Sequence, residues 1–351
     1  MIVAGAGMAG LCAAARAREL GASPTVLEKG DRPGGSMLLS SGVIWRYRTF
    51  EDFRRECPAG DPSLQRLIVE RLDDALGWLE SLGAPVVTQG TGNPRTIGRR
   101  FDPRGLTDVL VRAACAVQTG RALGMDLETS PEQPLVLATG GFPVRLARER
   151  ALALRSNPWS QGDGLDLAVA AGAATTAGMD EFYGRAMPAP PARWGEAELV
   201  DHAQLYGRFA TVLDEQGGRI QHASEDWSEN ALVQGIATRG GRAWYVVERA
   251  DLGRETPYGT IADAIERVRA AGGTVEDRGG KLAVHVIAAV THTIGGLAID
   301  ERARVVRGDG SPIPGLFAAG VDAGGWSTGG YASGLAAALV LGLVAAEDAA
   351  S

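Results

Sequence analysis

Lysine is almost missing from this chain of 351 residues: Lys29 and Lys281 are the only two. That scarcity argues against Schiff-base chemistry, which needs a desolvated lysine amine. Cysteine is nearly as rare. Cys12, Cys57 and Cys115 are odd in number and lack metal-ligand spacing, so they read as reduced thiols of a cytoplasmic protein, in the core or at the surface. No metal site is expected from them. The sequence also lacks any block of Lys and Arg, and its formal charge is -7, which argues against a nucleic-acid partner. No run of about 18 apolar residues is free of glycine or charge, so no membrane insertion is expected. The first residues carry a glycine pattern instead of a basic leader, and are not read as a signal peptide.

What is present is an ordinary globular balance, 45% hydrophobic and 22% charged, with 49 scattered glycines. The length suits about two domains. The glycines point to tight turns and ligand loops rather than low complexity.

The opening "MIVAGAGMAGLCAAARARELG" reads as a very short strand, then Gly5, Gly7 and Gly10 in the spacing GxGxxG, then a helix that stops at Gly21. A second apolar strand, "PTVLEKG", ends in Glu28, where a dinucleotide fold places its ribose-binding acid. Gly5 permits the turn, Gly7 lets the backbone approach a pyrophosphate, and Gly10 lets the helix pack closely. The helix start, with Met8 and Ala9, supplies N–H groups and partial positive charge. Past Glu28 and Lys29 comes "GDRPGGSMLLSSGVIW", whose Gly35, Ser36, Met37, Ser41 and Gly42 suit a backbone laid along an extended flavin side chain rather than a nicotinamide fold.

At this point the chain resembles the FAD-dependent oxidoreductase 2 flavoproteins, which include fumarate reductases and 3-ketosteroid Δ1-dehydrogenases. The resemblance continues in "PLVLATGGFP" (134–143), "QGDGLDLAVAAGA" (161–173), "VTHTIGGLAID" (290–300) and "GSPIPGLFAAGVDAGG" (310–325). It implies an α/β fold: a discontinuous Rossmann-like FAD-binding domain over 1–177 and 285–351, with an inserted α+β cap domain over 178–284. It further implies noncovalent FAD, held by Thr139, Gly140, Asp163, Gly320 and Asp322 in addition to the amino-terminal residues. Asp163 also reads simply as a helix N-cap. The final stretch, "GGWSTGGYASGLAAALVLG", begins the last helix; in the family that N-terminus meets the flavin's pyrimidine end, which assigns Gly334 and Leu335. Between Ala113 and Val136 the β-meander of many relatives is shortened.

Two departures bear on substrate. Fumarate reductases carry a carboxylate-binding arginine in their last Gly-rich turn, and this turn has none. Ungapped counting past "GGRI" places Trp227 where those enzymes carry a proton-donating arginine. Dicarboxylate reduction is therefore not expected. Tyr331 resembles the tyrosine with which ketosteroid dehydrogenases polarise a carbonyl, and reads equally as a packing aromatic. His292, one of four histidines, stands in the family's H-T-x-G-G segment and reads either as a substrate group or as structural. Tyr183, Tyr206 and Tyr258 are the open choices for a proton acceptor, and such a tyrosine needs a nearby cation or relay.

The expected activity is hydride transfer between flavin N5 and a C–C bond beside a carbonyl of a small, cyclic or uncharged molecule, by dehydrogenation or ene-reduction. The electron acceptor or donor stays unnamed. An oxygen-dependent amine or alcohol oxidase is the enzymatic alternative, and an FAD-holding sensor the non-enzymatic one.

Overall fold

The computed structural model describes residues 1–114, 116–124, 130–221 and 227–351. Cys115 lies outside them; Cys12 and Cys57 are buried free thiols. The chain divides into two compact units, the first made of 1–143, 157–181 and 292–351, the second of 144–156 and 182–291.

The first unit is built on a six-stranded sheet in the order 304–306, 312–318, 135–137, 2–4, 25–27 and 117–118. All its pairings are parallel except the one between Arg304–Val306 and Pro312–Ala318. Val3 stands between Val26 and Val136 in register, and all three are fully buried. Short apolar strands covered on both faces are what a parallel sheet requires. Residues 117–118, in the shortened stretch, pair only as an edge strand. A three-stranded antiparallel sheet of Val43–Tyr47, Thr96–Phe101 and Val86–Gln89 completes the strands of the main body.

The helix Met8–Glu19 and the last helix, Gly334–Ala349, form the core's centre. Between them they bury Leu11, Cys12, Ala13, Ala14, Leu339, Val340 and Leu341. Gly342 sets their separation: a Cβ there would lie 2.5 Å from the Ala9 carbonyl oxygen and 3.3 Å from its Cα. Those are backbone atoms and cannot swing aside.

The second unit is a mostly antiparallel sheet around the long strand Lys281–Thr293, joined in parallel by Ala153–Leu154. Arg242–Val247 and Val275–Arg278 pair with it, and Thr211–Asp214 extends the sheet beyond Arg242–Val247. Phe182–Pro188 also joins the long strand. The helix Ile261–Ala270 starts with a reciprocal cap between Thr260 and Asp263, and buries Ile261, Ile265 and Val268. Among the described residues, no helix is long and apolar enough to cross a membrane.

Two glycines should respond oppositely to alanine. Gly342→Ala should destabilise by about 1–3 kcal/mol through overpacking, outweighing the gain in helix propensity of about 1 kcal/mol. Gly77, in the helix Pro62–Ser81, is exposed and has open space around its Cβ position. Gly77→Ala should therefore stabilise by up to about 1 kcal/mol. Urea midpoints of the two variants test this, and a stabilised Gly342→Ala would refute the account of helix spacing.

Candidate active site

The amino-terminal turn is shaped by what its glycines exclude. Gly5 has φ +103°, and a Cβ on it would run into the Ala138 carbonyl. A Cβ on Gly10 would run into the Gly5 carbonyl, whereas one on Gly7 would meet nothing within 4 Å. Two glycines thus serve close packing, and the third opens space in front of the helix N-terminus. Met8 and Ala9 bury their side chains, so their contribution there is the backbone N–H. Gly34 N–H donates to the Ala6 carbonyl at 2.7 Å, and a Cβ on Gly35 would lie 3.2 Å from the Gly7 Cα. The loop with Gly35 and Ser36 is therefore laid against the phosphate turn. Met37 is buried behind it; Gly42 has φ +74°, and Ser41 accepts from Arg100 through its carbonyl.

Glu28 is buried, and each of its oxygens takes one backbone donor: Ala6 N–H at 2.8 Å and Gly30 N–H at 2.7 Å. A carboxylate oxygen has a second lone pair, so this fixed acid retains capacity for ribose hydroxyls. The expected helix cap is corrected by the structure. Gly162, at φ +100°, caps the helix Asp163–Ala170; Asp163 is its first residue and its carboxylate pairs with Lys29 at 2.9 Å. Lys29 and Asp163 are thus each other's partners at this surface.

Asp322 lies between the strand Pro312–Ala318 and the last helix. Its carboxylate accepts from Thr139 N–H, from Thr139 Oγ1 at 2.9 Å and from Gly141 N–H at 3.1 Å. Burial raises its pKa, and these hydrogen bonds oppose the rise. Gly140 belongs to the turn so held. Gly320, at φ +68°, would place a Cβ 3.1 Å from the Ala9 Cβ, so it brings this strand end against the first helix.

The last helix begins at Gly334, capped by Ser333 Oγ, which accepts from Ala336 N–H. Leu335 follows, partly exposed. A Cβ on Gly334 would lie 3.0 Å from His292 Nε2, which brings the predicted histidine and helix terminus together. His292 Nδ1 stands 3.0 Å from the Thr293 carbonyl, which can only accept; Nδ1 therefore carries the proton and Nε2 the lone pair. Desolvation pushes the His292 pKa down to about 4, so the ring is neutral near pH 7. Its neighbour Trp326 lies 6.2 Å away between centroids. Tyr331 is half-buried, with its ring edge-on to Trp45 at 5.3 Å, and its carbonyl accepts from Tyr47 Oη.

Sequence reasoning missed several residues here. Trp45, Tyr47 and Phe53 form one aromatic cluster with Tyr331, at centroid spacings of 5.2 to 5.3 Å. Trp45 follows Gly42 in "SSGVIW", the one local signal that points to it. Thr293 Oγ1 and Ser327 Oγ are buried without a partner among the described residues. Thr293 Oγ1 would lie 2.5 Å from a Cβ on Gly141, so this hydroxyl borders the Thr139–Gly141 turn. Unpaired buried hydroxyls, the space at Gly7 and the two helix N-termini fit a polar dinucleotide.

The three candidate tyrosines of the second unit differ in surroundings. Tyr206 is in the core, edge-on to Tyr245, and its Oη donates to Gln204 at 2.9 Å. Burial raises its pKa well above the ordinary value, which disfavours the phenolate that a proton acceptor needs. Tyr258 sits in the turn between Glu255–Thr256 and Gly259–Thr260, its carbonyl accepting from Arg267. Tyr183 is half-buried under the Arg185 guanidinium, 4.8 Å from its ring centroid. Arg185 and Arg208 also flank Glu229, a carboxyl that burial pushes up to about 7 and both cations draw down. Their charge is thus partly balanced within the unit. Trp227 is half-buried.

A family model described as "FAD binding domain" matches residues 1–130 and 110–337. A fumarate reductase (cytochrome) of Shewanella frigidimarina is 24% identical over 445 residues, covering 100% of this chain and 76% of the relative. Among solved structures, 3-ketosteroid Δ4-(5α)-dehydrogenase from Rhodococcus jostii is 18% identical with a TM-score of 0.73, covering 100% of this chain and 96% of that one. The 3-ketosteroid Δ1-dehydrogenase from Sterolibacterium denitrificans is 14% identical with a TM-score of 0.75, covering 99% and 98%. At these identities the structural likeness establishes the fold, a parallel-sheet FAD-binding architecture.

The depressed His292 pKa has a sign that can be checked. An unfolded histidine takes up its proton near 6.5, whereas the native ring resists until about 4. The histidine therefore costs no stability above pH 6.5, and its destabilising effect grows as pH falls to 4, reaching on the order of 3 kcal/mol. Urea unfolding of the wild type and His292→Gln between pH 7 and 4 measures it. The variant should lose less stability with acid, and parallel curves would show that His292 titrates normally.

Proposed function

The chain belongs to the FAD binding domain family, and on that premise we propose that it is an oxidoreductase acting on a C–C bond beside a carbonyl of a small, uncharged, cyclic substrate. Bound FAD supplies the hydride acceptor or donor at N5. The first unit holds it: the turn from Gly5 to Gly10 and the helix start at the pyrophosphate, Glu28 at the ribose, and Thr139–Gly141 with Gly320 along the chain. The N–H groups of Gly334 and Leu335 would hold its pyrimidine end. There the helix N-terminus stabilises negative charge as it develops.

The observation that carries the substrate reading is the aromatic wall of Trp45 and Tyr331, with Trp326 and a neutral His292 near the same helix start. No arginine occurs from residue 324 to 334, so nothing there balances a carboxylate. A buried carboxylate without a cation costs several kcal/mol. In this reading Tyr331 Oη donates to the substrate carbonyl and polarises it. His292 Nε2 accepts from the substrate and positions it. Tyr183, with the Arg185 guanidinium 4.8 Å from its ring centroid, and Tyr258 are the candidates for proton acceptor in this reading.

The purified protein should be yellow, and acid precipitation should release FAD into the supernatant; colour kept in the pellet would mean a covalent link. In anaerobic titrations, cyclic ketones should bleach the flavin or enones should reoxidise it, and fumarate should do neither at a useful rate. Rapid reoxidation by fumarate would overturn the uncharged-substrate reading.

The two site residues separate kinetically. Tyr331→Phe should slow the hydride step by about 10²–10³-fold, the scale of one lost oxyanion donor, with FAD content unchanged. His292→Ala should weaken substrate binding and slow the step together. Stopped-flow single turnovers at matched FAD occupancy measure both, and a wild-type rate for Tyr331→Phe would make that residue a packing aromatic.

A further inference from the structure

The segment 157–164 runs along the cofactor loops and touches them at several points. Asn157 N–H donates to Ser36 Oγ at 3.2 Å, at one end of the 28–36 loop. At the other end, Lys29 Nζ bonds Gln161 Oε1 at 3.2 Å and Asp163 Oδ2 at 2.9 Å. Ser160 Oγ would lie 2.5 Å from a Cβ on Gly140. Between these anchors the half-buried Trp159 lays its indole on the bare α-carbon of Gly30: a Cβ there would be 3.2 and 3.3 Å from two ring carbons. The same point is 3.0 Å from Glu28 Oε1, so the indole and the ribose-binding acid converge on it.

We propose that Trp159 walls the adenosine half of FAD, its indole packing on the adenosine beside Glu28, with 157–164 as a strap latched by the Lys29–Asp163 ion pair. A large aromatic left partly exposed beside a fixed acid suits a nucleoside, which offers a π-face to the ring and hydroxyls to the carboxylate. Stacking of a base on an aromatic side chain is sequence-tolerant and is felt strongly on truncation to alanine. Trp159 is then a binding residue for the cofactor rather than for the reaction.

The test uses apoprotein freed of flavin, titrated with FAD and separately with FMN, which has the same isoalloxazine, ribityl chain and first phosphate but no adenosine. Trp159→Ala should weaken FAD by about 10- to 100-fold, while FMN binds as it does to the wild type. Trp159→Phe should stay within about threefold of the wild type for FAD. Gly30→Ala, whose new methyl would press on both the indole and Glu28, should weaken FAD in the same selective way. This second variant leaves the indole in place, so it reports even if Trp159→Ala folds poorly. The proposal is overturned if Trp159→Ala or Gly30→Ala binds FAD within threefold of the wild type. It is equally overturned if FMN weakens in step with FAD in both variants, or if Trp159→Phe is as weak as Trp159→Ala. Loss of FAD from the wild type itself would instead count against the family's cofactor in this chain, which separates the two failures.

Discussion

One buried carboxylate holds the cofactor region together. Asp322, 2% exposed, accepts three hydrogen bonds from Thr139 and Gly141, residues about 180 positions earlier in the chain. A charge taken out of water must be compensated nearly in full, so few arrangements of those loops satisfy it. The turn after the strand Leu135–Leu137 and the turn after Pro312–Ala318 are thereby fixed relative to each other. Gly320 and the start of the last helix inherit their positions from that junction.

Around it, electrostatics is supplied largely by backbone. The helices starting at Met8 and Gly334 both end their N-termini at the candidate site, and each presents unpaired N–H groups and partial positive charge. The only lysine in this region, Lys29, is held by Asp163. A site charged mainly by peptide dipoles needs no reorganisation when negative charge develops. This is consistent with a chain that has two lysines in all.

The aromatic side of the candidate site has the opposite character. The buried Trp45, Tyr47 and Phe53 pack with the half-buried Tyr331 as one aromatic cluster, and His292 stays neutral through desolvation. Apolar walls with a few oriented polar groups are the usual make-up of small-molecule sites.

The local pattern of the sequence determined much of this. A strand, GxGxxG, a helix, a second strand and an acid are short-range features, each dictated by residues within a few positions, so Gly5, Gly7, Gly10 and Glu28 were legible as a dinucleotide site. The assignment of Asp322, Thr139, Gly334 and His292 came from resemblance, because nothing local says that residues so far apart meet. Only the tertiary structure decided which groups use up one another. Asp163 was readable as a helix cap, yet Gly162 holds that position and Asp163 pairs with Lys29 across 134 positions. Tyr206 was readable as a base, yet desolvation and Gln204 keep its proton in place. Trp45 and Tyr331, 286 residues apart by number, meet only when the strand Val43–Tyr47 packs beside the loop before the last helix. Burial and partnership depend on the whole packed chain, and a hydrogen bond or a desolvation cost has no signature in the residues beside it.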